Sequence, residues 1–588
     1  MPHIFELREK PPIDQIYEVF FMAEQECREK ILSQDFWDFL IPNYRENRIG
    51  PLEESKYCLQ EGDFGYRVLY VSREGRPPLS FYEYGYYSIP SCYTPLDMDA
   101  VNAAGISAVQ NFPSLEVMGE GVMIGFVDTG IDYRNPVFQR LNGTTRISAI
   151  WDQTLQEGIP PEGFDFGSEY EKTQIDEALR LDHPLNLVPT IDEEGHGTFL
   201  ASVAAGSAAP ENRFIGAAPE AEIAVVKLKP AKDYLKTFYA IRQDAVCYQE
   251  NDIILGLAYL NRLAKKKGMP LVICIALGTN FGGHNGSSLL SSILDEYAYT
   301  TDRAVIIGTG NEAANRHHFF HQFMNDQETV PAEIRVGSGV TGFSAEVWAK
   351  LPDVVTVLLV SPSGERTSPI SLRQGQKYDL FFTFDGTQVS VEYRLLLENN
   401  DSQLIFLRFQ DPAEGIWRLE VLSVQRAVGE VHIWLPVQEF LSGEVFFLEA
   451  DADTTLTEPG SARAAMTVAY YNGKDNGVDI HSGRGYTRNE LIKPDYAAPG
   501  AEVTGAGAGG DFVSRTSSSA AAGIAAGASA LLMEWLKAQP DIEGVNSIQI
   551  RNTIVLGTGK RDVMEYPNRE WGYGTLNVYQ SLDRLRQL

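Results

Sequence analysis

Unbroken apolar runs at residues 122–127, 271–276 and 304–307 punctuate this chain, each bounded by glycine-containing sequence. None repeats at the 3.6-residue spacing of an amphipathic helix, so each predicts a strand buried on both faces of a parallel sheet. From about Val336 to Leu448 the pattern changes to alternating apolar and polar positions broken by turn signals, as in residues 354–360 before Ser361-Pro362-Ser363-Gly364 and residues 378–384 before Asp385-Gly386. Further runs at 404–409 and 416–421 keep that cadence. Short strands at such intervals predict an all-β sandwich or jelly roll. Near the start, residues 12–40 place Ile13, Ile16, Phe20, Cys27 and Ile31 near helical spacing, and residues 66–71 read as a strand. Beyond residue 519, an Ala/Gly-rich run predicts a helix packed tightly inside a core.

Three segments carry candidate chemistry. Asp128 follows the first apolar run directly, at the carboxyl end of its strand, where open α/β sheets build their sites. A buried carboxylate there needs a donor such as an imidazole N–H, although an acid capping the next turn fits the same position. His196 lies between Gly195 and Gly197, which permit close backbone approach, and its ordinary pKa of about 6.5 suits a general base. A satisfied core histidine is the alternative. Ser517, Ser518 and Ser519 open the Ala/Gly-rich helix and offer three neighbouring hydroxyls, one of which is expected as a helix cap.

In the chain order Asp, His, Ser, these segments resemble the subtilase family of serine proteases. Counting back from Ala526-Gly527 in that family's pattern places the nucleophile at Ser519, with Ser517 and Ser518 where the family has Gly-Thr and Gly523 where it has proline. Residues 304–312 resemble the strand and turn that present an oxyanion-binding amide, here Asn311, with the nucleophile's own N–H as the second donor. Residues 271–279 resemble the strand whose edge pairs with substrate backbone, and the resemblance implies substrate-binding roles for Ala276, Leu277 and Gly278 there and for Gly308, Thr309 and Gly310 in the 304–312 segment. Residues 493–500 match the family's Lys-Pro-Asp to Ala-Pro-Gly stretch.

The resemblance implies an α/β fold, a subtilisin-like parallel sheet flanked by helices, and an endopeptidase acting through an acyl-enzyme on proteins or peptides, with no organic cofactor and no metal site recognisable. A catalytically weak or inactive subtilase-fold receptor is the rival reading. The 127 residues ahead of Asp128 exceed what the catalytic fold needs and resemble an α+β pro-region, whether self-cleaved between about Tyr82 and Ala104 or kept as a permanent domain. Residues 86–95 read as extended, turn-punctuated chain. Another 208 positions separate Asn311 from Ser519, room for the β insertion. That layout resembles the clostridial subtilases of the spore-germination type, the Csp proteases, and gives four segments: a pro-region at 1–97, catalytic parts at 98–335 and 456–588, and a jelly-roll-like insertion at 336–455.

Composition narrows the rest. A formal charge of −30 at pH 7 excludes nucleic acid and anionic membrane surfaces as expected partners. Five cysteines at irregular spacing suggest neither a disulfide framework nor a zinc pattern. No signal peptide and no run of transmembrane length is read, which leaves the location open between cytoplasm, spore and a non-standard export route. His317, His318 and His321 suggest a weak alternative, an i, i+4 metal pair on a helix.

Overall fold

The computed structural model describes residues 27–42, 57–95, 104–110, 117–370, 376–395, 397 and 400–587. Its centre is an eight-stranded sheet in the order Tyr496–Pro499, Met466–Tyr471, Arg303–Gly308, Leu271–Ile275, Met123–Asp128, Glu222–Lys227, Ile147–Asp152, Ser168–Glu171. All neighbours run parallel except the last pair. The continuous apolar text of Met123–Asp128 follows from burial on both faces: Ile124 and Phe126 join one core, Met123 and Val127 the other. Helices His196–Ala205 and Ser518–Lys537 cover the first face, and Glu250–Lys267 and Leu289–Tyr299 the second.

Ser518–Lys537 is long and apolar enough by composition to cross a membrane, contrary to the expectation that no run is, yet 89% of its most apolar 18-residue stretch is buried inside the fold. Its small residues serve close packing. A Cβ on Gly527 would stand 2.6 Å from the Ala204 carbonyl oxygen and 2.4 Å from the Ala217 Cβ.

The alternating text folds into two antiparallel sheets. The six-stranded one runs His318–Gln322, Glu430–Trp434, Gly342–Lys350, Ser402–Gln410, Thr387–Arg394, Lys377–Phe382; the four-stranded one runs Val354–Val360, Gly415–Gln425, Thr329–Val336, Val445–Phe447. Inward residues of both sheets form one core, to which Gly415–Gln425 sends Trp417, Leu419 and Val421. Its first two strands, His318–Gln322 and Thr329–Val336, begin before residue 336. His318 therefore lies on a strand, and no i, i+4 helical pair exists at 317–321.

In the N-terminal region, Phe36–Pro42 and Tyr57–Glu61 flank Tyr66–Ser72 in an antiparallel sheet. The helix expected through residue 40 ends by residue 32 among the described residues, and its part before residue 27 lies outside them. The reason is tertiary pairing: Trp37, Phe39 and Ile41 face one core while Leu40 faces another, a two-residue alternation the helical spacing hid. Cys27 and Cys58 form a disulfide with Cα atoms 5.5 Å apart, against the sequence expectation of none, because the fold brings the residue-27 helix beside the Tyr57–Glu61 strand. Within the stretch read as extended, turn-punctuated chain, residues 86–88 form a 3-10 turn. Ile89 and the strand Cys92–Pro95 are extended.

Candidate active site

Asp128 ends its strand with no exposed surface, and His196 opens its helix. The imidazole Nδ1 stands 2.6 Å from Asp128 Oδ1, and its Nε2 stands 3.1 Å from Ser519 Oγ. Glycine makes this approach possible. A Cβ on Gly197 would lie 2.2 Å from the Gly130 carbonyl oxygen, and Gly195 sits at φ +70° ahead of the helix.

Asp192, which the sequence reading missed, ties the two segments together. Its Oδ1 accepts from Thr129 Oγ1 at 2.7 Å and from the Gly195 N–H at 3.0 Å, and its Oδ2 accepts from the Thr198 N–H at 2.8 Å and Thr198 Oγ1 at 2.6 Å. Thr129 Oγ1 accepts in turn from the Gly197 N–H at 2.8 Å. A carboxylate four residues before the histidine was the available signal, but it reads as an ordinary surface acid until burial is known.

The three serines divide their work. Ser519 alone of the three reaches His196. Ser518 Oγ accepts from the Gly310 N–H at 3.1 Å, and the Ser518 N–H donates to Asn311 Oδ1 at 3.1 Å. That donor fixes the amide oxygen of Asn311, which leaves its NH2 as the donor end of the side chain. Ser517 is the helix N-cap, and its Oγ accepts the Ser519 N–H at 3.0 Å. The Ser519 N–H, expected as the second oxyanion donor, therefore has a capping hydroxyl two residues earlier as its acceptor here.

Of the expected substrate-binding residues, Leu277 and Gly278 form a backbone edge, because the chain leaves the parallel sheet after Ile275. Ala276 is buried in the core. Gly308 packs beneath Ser518 and Gly310 against Thr457, with Thr309 buried between them. The edge is already paired. Pro95 lies opposite Leu277 and Thr94 opposite Gly278 in antiparallel register, while Cys92 and Tyr93 pair on their other side with Gln249 and Tyr248. Glu250, next to that second strand, accepts from the Leu290 N–H at 3.0 Å and the Ser91 N–H at 3.3 Å, and burial pushes its carboxyl up to about 7.

The histidines of the alternative metal reading go elsewhere. His317 pairs with Glu312 at 2.6 Å, His318 with His432 at 3.0 Å and His321 with Glu328 at 3.3 Å. Among the described residues no group of three or more side chains is arranged to hold a metal ion.

Comparison with known proteins bears on the family and the fold. A family model described as the subtilase family matches residues 119–374 and 424–574. The structure of the Clostridium perfringens CspB protease superposes with a TM-score of 0.73 at 28% identity, covering 83% of this chain and 98% of that one. Two Arabidopsis thaliana proteins share shorter stretches: subtilisin-like protease SBT2.4 is 31% identical over 127 residues, 18% of this chain, and subtilisin-like protease SBT2.1 is 36% identical over 101 residues, 16% of this chain. Those stretches span only 15% and 12% of the plant proteins' own lengths.

Proposed function

This chain belongs to the subtilase family, and from that premise we propose that it is a serine endopeptidase in which Asp128, His196 and Ser519 act as acid, base and nucleophile. The observation that carries the reading is His196 hydrogen-bonded on one nitrogen to Asp128 and on the other to Ser519. In the proposed reaction Ser519 Oγ attacks the scissile carbonyl carbon as its proton passes to His196 Nε2. Asp128 holds Nδ1–H and stabilises the imidazolium; the proton then goes to the leaving amine, and water hydrolyses the acyl-enzyme. The Asn311 amide donates to the carbonyl oxygen as negative charge develops there.

Protein or peptide chains are the substrates, received in extended form along Leu277–Gly278, where backbone pairing supplies affinity with few demands on sequence. The first such chain is its own. Cys92–Pro95 occupying that edge supports a pro-region that is cut by the enzyme and stays docked. A fluorophosphonate probe tests the activity: the wild-type chain should be labelled at Ser519 and Ser519→Ala should not, whereas an unlabelled wild-type protein that cleaves no peptide would favour the receptor-like alternative.

A further inference from the structure

We propose that the Ser517 hydroxyl is a competing acceptor that holds the Ser519 N–H away from the reacting carbonyl oxygen, making Ser517 a positioning residue that limits the rate of acylation. The inference rests on the peptidase reading above. As Ser519 Oγ bonds to the carbonyl carbon, the C=O π electrons move onto oxygen, and only donors that strengthen their bonds at that moment lower the barrier. Two donors lie at hand. The Asn311 NH2 is oriented for the task by the Ser518 N–H on its oxygen. The Ser519 N–H is instead satisfied in the resting state by Ser517 Oγ at 3.0 Å, so its bond to the oxyanion is an exchange and not a gain.

Ser517 is fully buried, which keeps solvent from competing for that contact. Its backbone is pinned separately: its N–H donates to the Gly500 carbonyl at 2.8 Å, and φ −177°, ψ 175° is extended chain open to any residue. The side chain can therefore be removed without asking the backbone to move. Glycine is also a tolerated N-cap, so Ser517→Gly should fold.

The test compares wild type with Ser517→Gly, Ser517→Ala and Ser517→Thr as full chains. It measures the fluorophosphonate labelling rate, kcat and KM on an extended peptide amide, and thermal midpoint. Freeing the N–H should raise the labelling rate and kcat about tenfold in the Gly and Ala variants, a part of the 10²–10³ that a whole donor is worth. KM should stay unchanged, and Ser517→Thr, which restores the acceptor, should return to the wild-type rate. Unmoved rates with a lower midpoint would reduce Ser517 to a cap. Slower Gly and Ala variants would mean that the hydroxyl itself donates to the oxyanion. Either result overturns the inference while leaving the peptidase reading standing; a wild type inert to probe and peptide overturns both.

Discussion

Thr94 lies opposite Gly278 in an antiparallel pair, so the backbone edge expected to receive a peptide already holds the chain's own. With Pro95 opposite Leu277, the first peptide bond beyond the paired segment's next residue is Leu96–Asp97. We expect self-cleavage there. N-terminal sequencing of the active protein should begin at Asp97, with the fragment up to Leu96 co-eluting on gel filtration, and Ser519→Ala should stay intact. A fully active protein still beginning at residue 1 or 2 would make the segment a permanent domain.

Only Ser519 among the three serines touches His196, which sets the order of their variants. Ser519→Ala should abolish peptide hydrolysis and probe labelling, while Ser518→Ala, which removes an acceptor for Gly310, keeps a measurable part of both. Labelling that persists in Ser519→Ala and vanishes in Ser517→Ala would move the nucleophile.

Asn311→Ala removes the oriented amide donor without touching the Leu277–Gly278 edge. By analogy with the corresponding loss in subtilisin, kcat should fall about 10²–10³-fold with KM nearly constant. An unchanged kcat would take Asn311 out of the oxyanion site.

The N-terminal sheet is tied down by a buried ion pair. Lys232 Nζ stands 2.6 Å from Asp38 Oδ1, and Gln249 Nε2 donates to Asp38 Oδ2 at 2.8 Å. Burial lowers the lysine's pKa, so a lone charge there is costly. Asp38→Ala should destabilise the docked region by roughly 3–5 kcal/mol, read as earlier protease release of the N-terminal fragment. Asp38→Ala matching wild type in that assay would show the pair to be dispensable.

Glu346, on the β unit, accepts from Tyr86 Oη at 3.1 Å, the Gly282 N–H at 3.0 Å and Trp348 Nε1 at 3.1 Å, joining three parts of the fold. Burial pushes its carboxyl up to about 7. The folded state then binds the proton more tightly than the unfolded state, whose carboxyl titrates near its ordinary value of about 4.3. The contribution is therefore full below that value and is lost as pH rises through about 7, on the order of 3 kcal/mol in all. Glu346→Gln removes the titration. Its urea-derived stability relative to wild type should rise between pH 5 and pH 8; a pH-independent difference would refute the assignment.

Much of the site was legible because its residues are local to strand ends and helix starts. Asp128 follows an apolar run, His196 stands between two glycines, and Ser519 opens a small-residue helix, so short-range pattern places each at an element boundary. The β unit was legible for a similar reason: burial of one face writes a two-residue alternation into strands such as Gly415–Gln425.

What the sequence by itself determined, then, was which residues are candidates for chemistry and which elements present them, since those depend on neighbours a few positions away; choosing Ser519 among three adjacent serines took the register of the family pattern. Only the tertiary structure decided who meets whom. Asp192 gained its role from four donors spread over residues 129–198, Ser517 took the N–H expected to serve the oxyanion, and Phe36–Pro42 became a strand because Tyr66–Ser72 lies beside it. Cys27 and Cys58 likewise meet only once helix and strand are packed. Each outcome is a choice among competing donors, acceptors or partners distant in sequence, and burial settles such a choice only after the chain has folded.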